Sequence, residues 1–432
     1  NEYSVSEGKI VIAAGIFTSA GNYNIVIKAE GYDDATVTQP IKTGSGSTTD
    51  PKSPPALTAD TGDIRDIKVT FTDDAAWRAA ITDVTVNGKS IAGKYDREQA
   101  EKITIDYDVF DEVGEYTVTV IAAGYNDATL KLEIKPYLTI SGAVSVPKEY
   151  TVAQLEKMPQ KQEVYSCINT WPTKKWYVGK GVALSYLLGR EQADIKSDAT
   201  LIKFTASDGY YMTLTVQELL KDSRYRFPNF KGDGGDGDGH LPGDSSGKVE
   251  VETILGLVSA EGTDNPDYMN DLNALLLMLG QRTVIEQTGP LFVKNVNKIE
   301  VLTDPISQWD KPTASEAPGK VLAGTKVELH SENDDDDKVH YTLDGSTPTQ
   351  ESPIYNWVAS RWWSQRGKET VAEINRPIEI TKDTTIKAIT IGPGKRNSEV
   401  ATFTYKVIKE VTGGAPPDRD SEFNFGDKVL LK

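Results

Sequence analysis

Apolar and polar side chains alternate along much of this chain, and the alternation comes in blocks. Ile10 and Ile12, then Tyr23, Ile25, Ile27 and Ala29, recur at a period of two, which predicts strands with one buried face. Ile67-Lys68-Val69-Thr70-Phe71 and Val84-Thr85-Val86-Asn87-Gly88 follow the same rule, with Trp77 between them. Gly21-Asn22 and Gly114-Glu115 are expected as tight turns joining such strands. Between 138 and 305 the pattern changes. Residues 152–158 and 181–188 are predicted as helices, the second entered from a glycine turn. Val216-Gln217-Glu218-Leu219-Leu220 predicts a third helix, with Thr215 as its N-cap. Strands are predicted at Leu201–Phe204 and Met212–Leu214, flanking a turn at Ser207–Tyr210, and again at Phe292-Val293 and Ile299–Leu302. Leu272–Gly280 is apolar and expected to be buried. Strand patterning returns at Val321, Lys326–Leu329, His340–Leu343, Thr385–Ile389 and Ala401–Tyr405.

One block occurs twice. Ala29-Glu30-Gly31-Tyr32-Asp33-Asp34-Ala35-Thr36 returns as Ala122-Ala123-Gly124-Tyr125-Asn126-Asp127-Ala128-Thr129, and Phe17, Gly21 and Tyr23 fall on Phe110, Gly114 and Tyr116. Self-similarity at a fixed offset marks a tandem module. The first copy lacks the front half that the second has, so the chain reads as a piece of a longer modular protein. The expected organisation is a half-module at 1–45, a linker at 46–56, a complete module at 57–137, and an α+β domain at 138–305. A connector at 306–316, a β domain at 317–408 and a tail at 409–432 complete it.

A length of 432 residues suits three or four domains. The formal charge of -17 argues against a nucleic-acid partner, because phosphate binding needs clustered Lys and Arg. No apolar run approaches the ~20 residues needed to span a bilayer. One cysteine excludes an intramolecular disulfide framework, and three histidines leave little material for His-based metal chemistry. No nucleophile elbow, phosphate-binding loop, His-Glu-x-x-His or dinucleotide fingerprint is present.

The two tandem units resemble small β-sandwich repeats of Gram-positive surface proteins, some of them from haemoglobin-interaction regions. Trp77-(x)3-Ile81-Thr82, Val84-(x)-Val86-Asn87-Gly88 and the shared Gly-Tyr-x-Asp-Ala-Thr stretch carry the resemblance. It implies haem or partner contacts at Tyr32 and Tyr125. A Gly-Tyr pair that caps a strand and covers the sandwich edge accounts for the same residues.

Residues 138–305 resemble the oxidoreductase molybdopterin-binding domain of sulfite-oxidase-like enzymes. The landmarks are Cys167, Trp176-Tyr177-Val178-Gly179, the Gly181–Leu188 segment, Ser207-Asp208-Gly209-Tyr210 and Gly289-Pro290. The resemblance implies a thiolate ligand to molybdenum at Cys167. Leu291 stands where those enzymes place arginine, and Ile168-Asn169-Thr170 lacks a basic neighbour. These departures argue against a bound molybdopterin and for a buried, inert cysteine on a retained fold.

Residues 317–408 resemble the small β-sandwich that follows catalytic domains in chitobiase and β-hexosaminidase-type proteins. Gly324–Leu329, His340–Thr349, Ser352-(x)2-Tyr355 and Thr384–Ile389 carry it. That family does not catalyse by itself, and Asp344 reads as a turn residue. An insertion at 356–376 holds Trp357, Arg361, Trp362, Trp363 and Arg366, a composition suited to stacking on sugar rings, to anchoring a protein, or to covering a neighbouring domain.

Two acidic segments remain. Asp233, Asp236, Asp238 and Asp244 lie in a Gly/Asp-rich loop and are candidate calcium ligands, although their spacing does not fit an EF-hand. Asp334–Asp337 reads as a solvated loop tip. The fold class is therefore multidomain and mainly β: β-sandwich modules flanking one α+β domain of sulfite-oxidase-like, molybdopterin-binding type. The expected role is non-enzymatic: a secreted, cell-wall-associated bacterial protein presenting binding or spacer modules to an extracellular protein or glycan. The rival readings are an extracellular molybdenum-cofactor oxidoreductase and a glycan- or haemoprotein-binding receptor. No cofactor beyond calcium is expected.

Overall fold

The computed structural model describes residues 3–6, 9–41, 51–60, 66–231 and 243–408. The candidate calcium ligands Asp233, Asp236 and Asp238, and the segment 409–432, lie outside them. The chain is a multidomain, mainly β protein.

In the first copy of the repeat, strand Tyr3–Ser6 pairs with Lys9–Ile12, and Gly21–Ile27 pairs with Ala35–Ile41, both antiparallel. The second copy adds a front half and closes into a sandwich. One four-stranded sheet joins Thr58–Asp60, Asp66–Thr70, Lys102–Asp106 and Tyr95–Asp96; the other joins Ala128–Ile134, Gly114–Ala122, Ile81–Val86 and Lys89–Ser90. Period-two patterning works here as expected. Ile67, Val69 and Phe71 face inward with Ile103, Ile105, Val118 and Val120, and Trp77 is fully buried among them with its ring 5.0 Å from Phe71. The turn expectation is corrected. Gly21 and Gly114 open strands, whereas the hairpins turn through Gly31 and Gly124, at φ +85 and +80. Left-handed backbone of that kind favours glycine.

Residues 138–302 form two sheets around one core. Five strands run in the order Lys148–Tyr150, Leu138–Gly142, Val296–Leu302, Leu201–Ala206 and Tyr211–Thr215, with Leu138–Gly142 parallel to Val296–Leu302. Four antiparallel strands, Gln160–Ile168, Lys174–Ala183, Ile254–Glu261 and Leu276–Met278, form the other sheet. Helices Val152–Lys157 and Val216–Leu220 each start with a capping box, Thr151 with Gln154 and Thr215 with Glu218. The helix expected at 181–188 shrinks to Leu184–Leu187, because the preceding strand continues through Gly181 to Ala183. A Cβ at Gly181 would stand 1.9 Å from the Leu255 carbonyl oxygen, so glycine permits this close strand pairing. Ala274–Leu279 is buried as expected, but Leu272 is 79% exposed. Phe292 and Val293 are buried without being a strand.

In the last unit, Gly319–Leu322, Ala401–Ile408, Thr384–Ile391 and Lys338–Thr342 form a four-stranded sheet. Thr325–Val327 pairs with Ile378–Ile380 across a core of Val327, Leu329, Val339, Ile386 and Tyr405. Asp344 is a turn residue, its carboxylate accepting from the Ser346 N–H and hydroxyl. No helix among the described residues is long and apolar enough to cross a membrane.

Candidate functional site

The tryptophan-rich insertion folds onto the middle domain. Trp357 is 5% exposed and joins a cluster with Ile168, Phe227, Phe230 and Ile354. Its carbonyl accepts from Gln287 Nε2 at 2.8 Å. Trp362 Nε1 donates to Thr170 Oγ1 at 2.9 Å, and the Ala359 N–H donates to the Thr170 carbonyl at 3.0 Å. The Trp362 ring meets Trp171 edge-on, and the Arg366 guanidinium lies 4.8 Å from the Trp171 ring centroid. Further along the same seam, the Gly394 N–H donates to Glu218 Oε2. Gly394 has φ +70, and a Cβ there would fall 2.4 Å from the Thr213 carbonyl oxygen, so this approach of two backbones requires glycine. Of the insertion's candidate ligand contacts Trp357, Arg361, Trp362 and Trp363, the structure commits Trp357 and Trp362 to the interdomain seam. Arg361 pairs with Asp335 and Asp336 at 3.2 and 2.7 Å. Trp363 lies on the other side of the insertion, its ring 6.5 Å from His330.

Those pairings correct the solvated reading of Asp334–Asp337. Asp334 and Asp337 are buried. Asp334 accepts from the Ser331 N–H and from Asn356 Nδ2, while Asp337 accepts from the Asn333 and Asp335 N–H groups. The run is thus ordered by its own turn and, in addition, by Asn356 and Arg361 from the insertion.

A buried charge network lies at the seam. Arg282 and Arg224 reach the Glu286 carboxylate at 2.8 and 3.3 Å, and Arg282 also approaches Asp222 at 3.6 Å. Burial opposes ionisation of Glu286, but the Arg282 and Arg224 guanidiniums outweigh it and hold the carboxyl below its ordinary range. Arg224 is 3% exposed and also donates to the Gly280 carbonyl. Glu218, Arg282, Glu286, Lys338 and His340 line a cavity of about 40 Å³, room for roughly two or three waters. Burial lowers the Lys338 pKa to about 8, against the pull of Asp336 and Asp337. Sequence pattern does not single out these groups; the one local sign is the four-residue spacing of Arg282 and Glu286.

Burial likewise lowers the His340 pKa to about 4. The neutral ring donates from Nδ1 to the Ser352 carbonyl at 2.8 Å. A folded-state pKa below the ordinary histidine value contributes stability that is present above about pH 6.5 and lost as pH falls toward about 4. The full loss is about 3 kcal/mol. The stability advantage of the wild type over a His340→Gln variant, measured as a Tm difference, is therefore expected to shrink between about pH 7 and pH 4. A constant difference would show that His340 is not held neutral.

Cys167 is 2% exposed and sits in the core with Tyr165, Tyr177, Leu291 and Phe292. Burial pushes its thiol up to about 12, and the Thr288 hydroxyl offsets this only in part. The charged groups acting on it are Glu261 and Lys175, themselves paired at 2.6 Å. A phosphorylated pterin needs a basic cradle, and Lys175, the one cation among the charged groups acting on this sulfur, is already paired with Glu261. The residues around this sulfur do not fit a pterin-bound metal centre. Asp244 is exposed, and its carboxylate already accepts from the Ser246 N–H and hydroxyl. Among the described residues no group of three or more His, Cys, Asp or Glu is arranged to hold a metal ion.

At the hairpin tips the two repeat copies differ. Tyr125 is half-buried against its own module's core, with Lys52 Nζ 5.4 Å from its ring centroid. Tyr32 is 81% exposed. Residues 1–42 and 57–135 match the family described as heme-binding protein Shr-like, Hb-interacting domain. Residues 327–405 match the family described as Fn3 associated. Comparison with curated proteins found no match. Among solved structures, the sulfane dehydrogenase SoxCD from Paracoccus pantotrophus is 12% identical, over 62% of this chain and 75% of that one, with a TM-score of 0.25. Chicken CNTN1 FN1-FN3 domains are 8% identical, over 82% of this chain and 99% of that one, with a TM-score of 0.16. Scores this low establish no shared fold.

Proposed function

We propose that this chain is a non-enzymatic part of a secreted, cell-surface bacterial protein whose tandem β-sandwich modules bind a haemoprotein, with haemoglobin the first candidate. The observation that carries the reading is the match of both repeat copies to an Hb-interacting domain family. Residues 1–135 contain no His, Met or Cys, which leaves tyrosine as the usual remaining side-chain ligand for haem iron. Contact with the globin surface, not capture of the iron, is therefore the favoured mode. Tyr32, a large amphipathic ring standing free at a hairpin tip, has the character of an interface anchor. Tyr125 has a structural role, closing the edge of its own sandwich. The middle domain serves in this reading as a sulfite-oxidase-like scaffold without a working metal site, and the last domain as a packed β-sandwich of chitobiase C-terminal type.

The test is surface-plasmon binding of haemoglobin to the immobilised 432-residue chain, with free haemin titrated in parallel. Haemoglobin should bind saturably, Tyr32→Ala should weaken it at least about tenfold, and haemin should give no ligation shift in its Soret band. A chain that ignores haemoglobin, or that binds haemin as well as haemoglobin, would remove this reading.

A further inference from the structure

The insertion at 356–376 does more than seal the seam. On the side away from the middle domain it roofs an open cavity of about 630 Å³. That size lies within the range of small-molecule sites. One wall is apolar: the edge of Tyr355 from the sandwich, and Trp363, Val371 and Ala372 from the insertion. The rim is polar and carries Glu328, His330, Ser364 and Lys368.

Both halves of this arrangement are held in place. Trp363 Nε1 donates to the Val358 carbonyl at 3.2 Å, fixing the indole against its own loop. Asn375 fastens the same stretch twice, Oδ1 accepting from the Val358 N–H and Nδ2 donating to the Val358 carbonyl. His330 is oriented by Asp334, Nδ1 to Oδ2 at 2.9 Å, which turns Nε2 toward Glu328 at 3.6 Å. That separation is too long for a good hydrogen bond, so Nε2 and the half-exposed Glu328 carboxylate retain capacity for a third group. On the rim Glu328 opposes Lys368, and the Asp334 carboxylate is already taken up by His330, Ser331 and Asn356, so a strongly charged ligand gains little there.

An apolar aromatic wall facing a rim of mixed donors and acceptors matches a molecule with one C–H face and an edge of hydroxyls. We propose that this cavity binds a neutral pyranose oligosaccharide, one sugar ring stacked on Trp363 and its hydroxyls bonded by Glu328, His330 and Ser364. The site is independent of haemoprotein binding, which involves other modules.

The test uses the full chain, titrated calorimetrically with cellotriose, maltotriose and triacetylchitotriose up to about 10 mM. At least one should bind saturably. Trp363→Ala should weaken that binding at least about tenfold. Ala372→Trp, at an exposed position where a large side chain blocks the cavity without disturbing the core, should weaken it equally. Haemoglobin binding should be unchanged in both variants. No saturable binding of any trisaccharide would overturn the proposal, and so would binding that survives Ala372→Trp.

Discussion

Replacing Trp77 with alanine should destabilise the complete repeat module by about 3–5 kcal/mol, enough to unfold it in an otherwise folded chain. Trp77 is fully buried, stands on the short helix Ala75–Ala80, and fills the space between the two sheets. Asp74 caps that helix by accepting from the Trp77 N–H at 2.9 Å, so the ring is placed by a local bond as well as by packing. Calorimetry should show one transition lowered by more than about 10 °C, with new protease cuts confined to 57–137. Trp77→Phe should cost much less. Among the described residues the buried indole Nε1 has no hydrogen-bond partner, so its removal recovers a desolvation penalty that offsets part of the lost contact area. Equal losses in the two variants would show that the ring's size is not what holds the module together.

Glu286→Ala should be the most damaging single change at the seam, at about 3–5 kcal/mol. It removes the shared counter-charge of Arg224 and Arg282, and Arg224 has almost no access to water. The carboxylate also accepts from the Arg282 backbone N–H, so that group is orphaned too. Glu286→Gln keeps an acceptor and most of the volume, and should cost clearly less. Urea denaturation of the full chain, followed by tryptophan emission, separates the two. A loss under about 1 kcal/mol in Glu286→Ala would mean that water reaches the arginines and the network is not buried in solution.

How much of this was legible in the sequence depended on how local the cause was. Ile67, Val69 and Phe71 alternate because strand geometry points every second side chain inward, and all three are buried. Thr215 and Glu218 cap a helix through bonds three residues apart, which a linear pattern displays directly. Residues 181–188 were legible only in part: Leu184–Leu187 is helical, but a short apolar run reads equally as buried strand or helix, and pairing against Leu255 makes 181–183 strand. The Asp334–Asp337 run reads as solvated because, beside its local bonds, the Asn356 and Arg361 side chains that cover it arrive from an insertion some twenty residues later. The candidate sugar cavity combines Glu328 and His330 with Trp363 and Lys368, and no spacing in the sequence announces that meeting. Trp357 and Trp362 cover the neighbouring domain, one of the roles the insertion's composition allows, whereas Trp363 lines the cavity.

The lone sulfhydryl has a practical consequence. Because Cys167 is walled in by the core of its domain, alkylating reagents can reach it only when that domain opens. The rate at which iodoacetamide labels the intact chain is thus a native clock for breathing of one domain among several, readable by mass alone and needing no engineered probe.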